Sequence, residues 1–464
     1  MVSSGDHFSP TRSVALSGGS VAGGASPARA YGMVAVLTLA YVVSFADRML
    51  LAMLIDPVRE SLGLTDTQIS LMLGLAFVLF YTSLSLPLGK IADRHDRSLL
   101  LTLGILAWSA ATAACGLATN IWQLFLARMG VGAGEASLAP ASYSLISDYF
   151  PPERVGSAMA IYASGITLGS GTAFALGGAL VQSLGPRAPV SIPLLGEIEG
   201  WRAAFIVLGL VGIPMALLVN WVIREPRRKL IARIAPNAPL ASMRRFIWRR
   251  RAGFVPILIG YAALSIVTYG ISTWAVAFFQ RVHFWSPAPL GAIYGALLGI
   301  GGTAGVLAGG FLTDWLSRRG TIDGSARVVL ASVVLQCPLY VTAFLVSDWK
   351  LAIILFGAAV MVSAVAIGLQ NVTIQAMTPA QLRGRMSAVF LLLANLLGLG
   401  VGPTIIGAMT DYVYTGPTAI GASLATTVAM CLPLSALLIV IGLAPSRRLI
   451  ALEHRRAQQL VLKE

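Results

Sequence analysis

Apolar residues in this chain come in runs of about 20 or more, broken by short polar or basic segments, and a helix of that length matches the hydrocarbon core of a bilayer. Twelve such runs are predicted to span a membrane: near 31–55, 68–88, 98–118, 121–147, 155–182 and 201–223, and then near 253–279, 289–312, 327–346, 351–377, 384–410 and 418–443. Between the sixes, Arg224 to Arg251 carries ten Lys or Arg and one acid, Glu225, with Pro226, Pro236 and Pro239 to discourage a single helix. The pattern predicts an all-α integral membrane protein. Its parts are a disordered tail at 1–30, a six-helix bundle at 31–223, a basic linker at 224–252, a second six-helix bundle at 253–443 and a tail at 444–464.

Composition agrees with this reading: 56% of residues are hydrophobic, only 11% are charged and the mean hydropathy is +0.80. A soluble domain carries about a quarter charged residues. The net charge of +14 would suggest a nucleic-acid partner, but the basic residues fall mainly on alternate loops, which reports orientation. Lys90, Arg94, Arg97, Arg154, the linker, Arg318, Arg319, Arg327, Arg383, Arg385 and the C-terminal arginines share one side; the other keeps Arg59, Arg187, Arg202, Arg281 and Lys350. Both termini are therefore expected in the cytoplasm, with the linker read as a topology signal; contact with anionic lipid headgroups is the weaker alternative. The expected location is a bacterial inner (plasma) membrane. Cys115, Cys337 and Cys431 have no paired spacing, and His7, His95, His283 and His454 lie in tails and loops. No disulfide, metal, cofactor or enzymatic site is expected from them.

Charges inside the apolar runs are the costly feature. Arg128 and Glu135 flank Gly130, Gly132 and Gly134 in the fourth run. Seven residues is about two helical turns, so both side chains share a face. A charge at bilayer depth costs about 2.5–3.5 kcal/mol on insertion scales and normally faces a partner or a wet cavity. In the first run, Tyr41-Val42-Val43-Ser44-Phe45-Ala46 leads to Asp47 and Arg48. Counting along the helices puts Asp47 and Arg128 at matching depth, with Glu135 about 10 Å deeper. On that arithmetic Asp47 sits beside two arginines and stays ionised longer, while Glu135 accepts a proton more readily. The alternative is a static ion pair that only fixes packing. The seventh and tenth runs hold no acidic or basic side chain (Asp, Glu, Lys, Arg or His) in their interiors. They offer Thr268, Tyr269, Ser272, Thr273, Trp274, Gln370, Asn371 and Gln375 as a neutral, partly aromatic wall.

An internal repeat ties the halves together. Gly89-Lys90-Ile91-Ala92-Asp93-Arg94-His95-Asp96-Arg97 follows the second run, and Gly310-Phe311-Leu312-Thr313-Asp314-Trp315-Leu316-Ser317-Arg318 follows the eighth. Both space Gly, Asp and Arg by four residues. The echo continues in Pro152-Glu153-Arg154 before the fifth run and Pro379-Ala380-Gln381-Leu382-Arg383 before the eleventh. Two related halves suggest a transporter with its site at their interface. With these motifs the chain resembles the major facilitator superfamily from about Tyr31 to Leu443, although Asp96 and Ser98 stand where that family's signature usually has a glycine and a basic residue. The resemblance implies helices one, four, seven and ten around a central cavity. It also implies loops that act as a conformational latch, here Gly89, Asp93, Arg94, Arg97 and Arg154, with Gly310, Asp314, Arg318 and Arg385 in the second half.

Within that superfamily, Asp47-Arg48, Arg128 through Gly134-Glu135-Ala136-Ser137, Asp148-Tyr149-Phe150-Pro151-Pro152-Glu153-Arg154 and Ile161-Tyr162 through Gly169-Ser170-Gly171 look like the spinster-like branch. That likeness implies proton-coupled alternating access with a lysophospholipid or sphingoid-type cargo, Asp47 and Glu135 as coupling acids and Arg48 and Arg128 as their partners. Organic-anion symporters share the helix-one Asp-Arg pair and the Gly-Glu-Ala sequence, so a carboxylate or hexuronate cargo stays open. A non-transporting lipid sensor stays open too, with drug efflux as a weaker reading. One chain holds both halves of a cavity, so a monomer is the expected working unit.

Overall fold

The computed structural model describes residues 27–150, 152–192, 196–225, 246–379 and 382–461; the expected N-terminal tail up to residue 26 and the linker between 226 and 245 lie outside it. The first half comprises α1 (Pro27–Met53), α2 (Ile55–Leu62), α3 (Asp66–Leu73), α4 (Leu75–Arg94), α5 (Arg97–Leu117), α6 (Ile121–Glu135), α7 (Leu138–Tyr149), α8 (Pro152–Leu184) and α9 (Gly200–Val222). A hairpin of β1 (Pro189–Ile192) and β2 (Gly196–Glu199) precedes α9. The second half comprises α10 (Arg251–His283), α11 (Pro287–Ala296), α12 (Gly302–Arg318), α13 (Gly324–Leu345), α14 (Trp349–Val365), α15 (Leu369–Ala376), α16 (Arg383–Asn395), α17 (Gly402–Tyr412) and α18 (Ala419–Val461).

Among the described residues, 11 helices are long and apolar enough to cross a membrane. The run expected as the fourth span is split into α6, with 15 residues, and α7, with 12. The cause is local. Pro140 has no N–H to bond the Ala136 carbonyl, and the chain tightens there, with Ser137 N–H donating to the Gly134 carbonyl at 3.3 Å. The tenth span breaks at the corresponding place, between α14 and α15, where Gly368 takes φ +83. Spans eight and eleven bend instead through π-helical turns, Leu297–Gly301 and Leu396–Val401. The second of these contains Gly398 and Gly400, and Gly398 also lets it cross α10 closely, since a Cβ there would collide with Tyr269 Cδ2 and stand 3.1 Å from the Ser265 carbonyl oxygen. The expected loops after the second and eighth runs are helical: Gly89 to Arg94 ends α4 and Gly310 to Arg318 ends α12. Asp96 then caps α5 by accepting the Leu99 N–H at 3.0 Å.

Within the halves, α1 packs on α8 and α5 on α9, and α10 and α13 pack on α18. Gly165 and Gly169 bring α8 against Thr38, Val42 and Phe45 of α1, and Gly305 and Gly309 bring α12 against α14. Between the halves, α8 meets α11 and α3 meets α17. These contacts gather at the end of the bundle away from the two chain ends, called the far end here. The backbones touch there: a Cβ on Gly171 would stand 2.9 Å from the Gly295 carbonyl oxygen, and one on Gly178 would stand 2.5 Å from that of Pro287.

Polar contacts fasten the same end. Arg281 of α10 donates to Asp66 of α3 at 2.6 and 2.9 Å and to Asp56 of α2 at 2.8 Å. Asp411 of α17 accepts the N–H groups of Asp66 and Thr67 at 3.1 and 2.7 Å and the Thr67 hydroxyl at 2.6 Å. A carboxylate from one half thus caps a helix of the other, where the macrodipole also favours it.

Candidate functional site

Asp47 and Arg48 are neighbours on α1, so their side chains leave the helix about 100° apart and meet different elements. Arg48 reaches α6: its Nη2 stands 2.5 Å from Glu135 Oε2, and its Nε donates to the same oxygen at 2.7 Å. Ser44, one turn earlier, donates its hydroxyl to that oxygen at 2.8 Å. The Glu135 side chain is fully buried and its Oε1 has no hydrogen-bond partner. The Arg48 guanidinium is also ringed by aromatic faces, 5.0 Å from the Phe45 centroid, 4.6 Å from Phe77 and 4.9 Å from Tyr81.

Asp47 points the other way. Thr112 Oγ1 of α5 lies 2.7 Å from each of its oxygens, and among the described residues no arginine comes within ion-pair distance of it. Arg128 and Arg48 both lie within electrostatic reach of Asp47, as depth suggests, but the direct ion pair is between Arg48 and Glu135 while Asp47 holds a hydroxyl. Counting Cα positions ignored the reach of the Arg48 side chain, which spans the supposed offset. Arg128 is buried, with Nε and Nη1 lacking hydrogen-bond partners and its guanidinium 5.9 Å from the Phe77 centroid. Four ionisable groups and a lining of Tyr41, Tyr81, Tyr143 and Tyr162 thus share one wall. Tyr41 stacks on Tyr162 at 4.8 Å, and Tyr143 meets Tyr162 edge-on at 5.5 Å.

The opposite wall is neutral. Thr268 is exposed midway along α10, the most enclosed of the long helices, which places it on the gap between the halves. Tyr269 beside it lies within electrostatic reach of Arg48 and Tyr81, and its hydroxyl donates to Asn395 Oδ1 at 3.3 Å. The Thr268 and Ser272 hydroxyls bond back to the carbonyls of Leu264 and Tyr269. Gln370 and Asn371 are half-buried on α15, and Asn371 Oδ1 is buried without a partner. Trp274 departs from the expected lining: it is fully buried, and its Nε1 donates to the Pro403 carbonyl at 3.0 Å, so it serves packing inside the second half.

The residues read as a latch separate into groups. Arg97 does not face the other half. It is fully buried in its own, bonding Asp148 and Ser144 at 2.7 Å each and Glu225 at 2.6 Å, and so binds the starts and ends of α5, α7 and α9 together. Arg154 is exposed near the start of α8. Asp314 and Arg318 line an apolar hollow with Phe311, Leu312 and Trp315. Gly89 approaches Pro140, Gly310 faces open space and Arg385 is half-buried and engaged. The side chains of Asp93 and Arg94 lie outside the described set.

Sequence reasoning missed the far-end clamp of Arg281, Asp56, Asp66 and Asp411, the aromatic ring around Arg48, and Thr112. One clue to the clamp was visible, because Thr65 and Gln68 form a capping box that marks Asp66 as the start of a helix. At the same end Glu199 ties α2 to α9. Burial alone would raise its carboxyl, but donors from Ser61 at 2.5 Å, Trp201 at 2.8 Å and Arg202 at 3.3 Å outweigh that and hold it below its ordinary value.

Similar proteins give this geometry a setting. A solved bacterial homologue of the human lysosomal transporter Spinster, in an inward-facing and unoccupied conformation, superposes with a TM-score of 0.74 at 26% identity, covering 92% of this chain and 98% of that one. An MFS-type efflux pump of Mycolicibacterium smegmatis is 29% identical over 389 residues, 83% of this chain and 85% of that protein. A probable L-galactonate transporter of Escherichia coli is 27% identical over 318 residues, 65% of each chain. The profile of the Major Facilitator Superfamily matches residues 37–403. With two helical halves meeting over a charged wall, the chain belongs to the Major Facilitator Superfamily as a spinster-like, multi-pass membrane transporter.

Proposed function

We propose that the protein moves a single-tailed amphipathic lipid, of lysophospholipid or sphingoid type, by alternating access coupled to protons. The observation that carries this reading is the contrast between the walls. One holds Asp47, Arg48, Arg128 and Glu135 within a few helical turns, and the other offers only neutral hydroxyl, amide and aromatic groups. A polar head sits at the first wall while a hydrocarbon tail lies along the second at little desolvation cost. Asp47 and Glu135 are the proton carriers. Protonating Glu135 removes the charge that holds Arg48 to α6, and protonating Asp47 changes what α1 presents to α5. Either event alters the packing of α1, a helix that also contacts α10 of the other half, and so biases which end opens. The end that carries the termini faces the cytoplasm of a bacterial inner membrane. The working unit is a monomer.

A carboxylate symporter is the second reading. It is favoured by the two unpartnered Arg128 nitrogens and by the sugar-acid name of the galactonate relative. Proteoliposome flux under an imposed pH gradient separates the two. The lipid reading expects lysolipid movement that the gradient drives in the native protein and no longer drives once Asp47→Asn and Glu135→Gln are combined. Galactonate flux without lysolipid flux would overturn it, and lysolipid binding with no net movement would make the protein a sensor.

A further inference from the structure

The Arg48 guanidinium occupies a socket that would suit any organic cation. Three ring centroids stand 4.6 to 5.0 Å from it: Phe77 and Tyr81 come from α4, stacked on each other at 5.3 Å, and Phe45 comes from one turn earlier on α1. The floor is Glu135, whose Oε2 takes every bond while Oε1, equally buried, takes none. Aromatic faces around an anion are how proteins recognise ammonium groups, because the ring quadrupoles attract positive charge and the dry surroundings strengthen the effect. The arginine does not seal the socket, since its side chain remains 15% exposed on the gap. Tyr269 stands within electrostatic reach of Arg48 and Tyr81 from the other half, so the mouth lies where a cargo passes.

We propose that Phe45, Phe77, Tyr81 and Glu135 form an ammonium-recognising subsite in which Arg48 is the resident cation, displaced when a cargo brings its own. The assignment rests on the transport reading and sharpens it: the head group carries a quaternary or primary ammonium. Exchange of one cation for another at the moment the cargo enters keeps the Glu135 carboxylate paired during that step, which avoids stranding a buried charge before its proton arrives. The released guanidinium moves into the gap, where an anionic part of the same head group can meet it.

Removing the resident cation tests the socket directly. Tetramethylammonium chloride is titrated calorimetrically into the purified full chain in non-ionic detergent, and into Arg48→Ala, Arg48→Ala/Tyr81→Leu and Arg48→Ala/Glu135→Gln. The expected result is binding to Arg48→Ala at least about tenfold tighter than to the native protein, with either second substitution returning it to the native level. Equal or weaker binding by a folded Arg48→Ala protein would overturn the assignment. So would tightened binding indifferent to Tyr81→Leu. If guanidinium ion raises the melting temperature of Arg48→Ala and tetramethylammonium does not bind, the socket is built for arginine alone and the proposal falls. Where Arg48→Ala yields no folded protein, Tyr81→Leu in the native background decides: the proposal expects it to abolish the melting shift that tetramethylammonium gives the native chain, and a retained shift, or none in the native chain, sinks it. Failure of the lipid reading is distinct. Tight tetramethylammonium binding with no lysolipid flux discards the cargo and keeps the subsite, while flux without cation binding discards the subsite alone.

Discussion

Arg281 on α10 donates from both terminal nitrogens to both oxygens of Asp66 on α3, and this fork joins the two halves at the far end. Asp66 is nearly fully buried, so the pair is shielded from solvent. Under the proposed alternating access these halves separate there, and the fork must then open.

Removing Arg281 leaves the buried Asp66 with Arg59, whose Nη1 stands 3.6 Å away, so the loss is that of the charge-assisted fork, about 1.5–3 kcal/mol. Arg281→Met is therefore expected to favour the far-end-open arrangement by at least about tenfold relative to the native protein. Spin labels on α3 and α17, read by pulsed electron resonance, should show the longer separation becoming dominant. An unchanged distance distribution would show that the backbone contacts alone close that end.

Arg97 makes the opposite prediction. Its partners Asp148, Ser144 and Glu225 all belong to the first half, so its loss weakens that half without changing how the halves meet. Arg97→Met should lower the melting temperature, by an amount set by a loss of about 1–3 kcal/mol because the carboxylates left behind, 41% and 21% exposed, can be hydrated, and leave the α3 to α17 distances as they are. A shifted distance distribution would restore this residue to the role of an inter-half latch.

Much of this architecture is legible in the order of residues because it depends on local composition. Run length reports bilayer thickness, the repeat of Gly89–Arg97 in Gly310–Arg318 reports two halves, and Asp47, Arg128 and Glu135 stand out because charge inside an apolar run is costly. Partnership is less legible. Thr112 lies 65 positions from Asp47, and nothing near either residue announces the bond. Arg97 sits in a motif that suggests a latch, yet its direction is set by α7 and by Glu225, 128 positions away. The interruption after Glu135 was readable from Pro140. The π-turns at Leu297 and Leu396 were not, since inserting one residue into a helix leaves its hydrophobic period almost unchanged.

The Thr112 hydroxyl supplies the hydrogen bond to Asp47, and the two should act as a unit. Thr112→Val removes the donor at nearly constant volume and is expected to cost about 1–3 kcal/mol in stability, with a fall in proton-driven flux. Placed in an Asp47→Asn background, the same change should add little to the flux defect. Additive losses would mean that Thr112 serves packing independent of the carboxylate.

Glu199 predicts a pH dependence whose sign follows from its lowered value. The folded chain holds this carboxyl below its ordinary 4.5, so the folded state binds fewer protons than the unfolded one. Its stabilisation is full above the unfolded value and is lost as pH falls through the folded value. The side chain is 41% exposed, and solvent screening keeps the effect small. Glu199→Gln should lower the melting temperature by about one or two degrees at pH 7. That gap should close as the pH is taken below about 4. A gap that persists in acid would assign the effect to lost packing.

Two glycines on the eighth span offer a matched test of backbone contact. A Cβ on Gly295 would collide with the Gly171 carbonyl oxygen and press Ala175 Cβ at 3.4 Å, whereas a Cβ on Gly302 would meet nothing within 4 Å. The π-turn between them, Leu297–Gly301, adds a residue to the helical period and turns Gly302 off the face that Gly295 presents to α8. Gly295→Val should therefore wedge the far end apart. The oxygen it meets belongs to the α8 backbone and has no rotamer by which to yield, so the expected response is movement of the whole half, seen as longer α3 to α17 distances. Gly302→Ala should leave those distances unchanged and, if anything, raise the melting temperature, because alanine gains about 1 kcal/mol over glycine inside a helix. Equal behaviour of the two variants would mean that α8 and α11 have room to slide, and that the ionic fork at Arg281 carries the closure by itself.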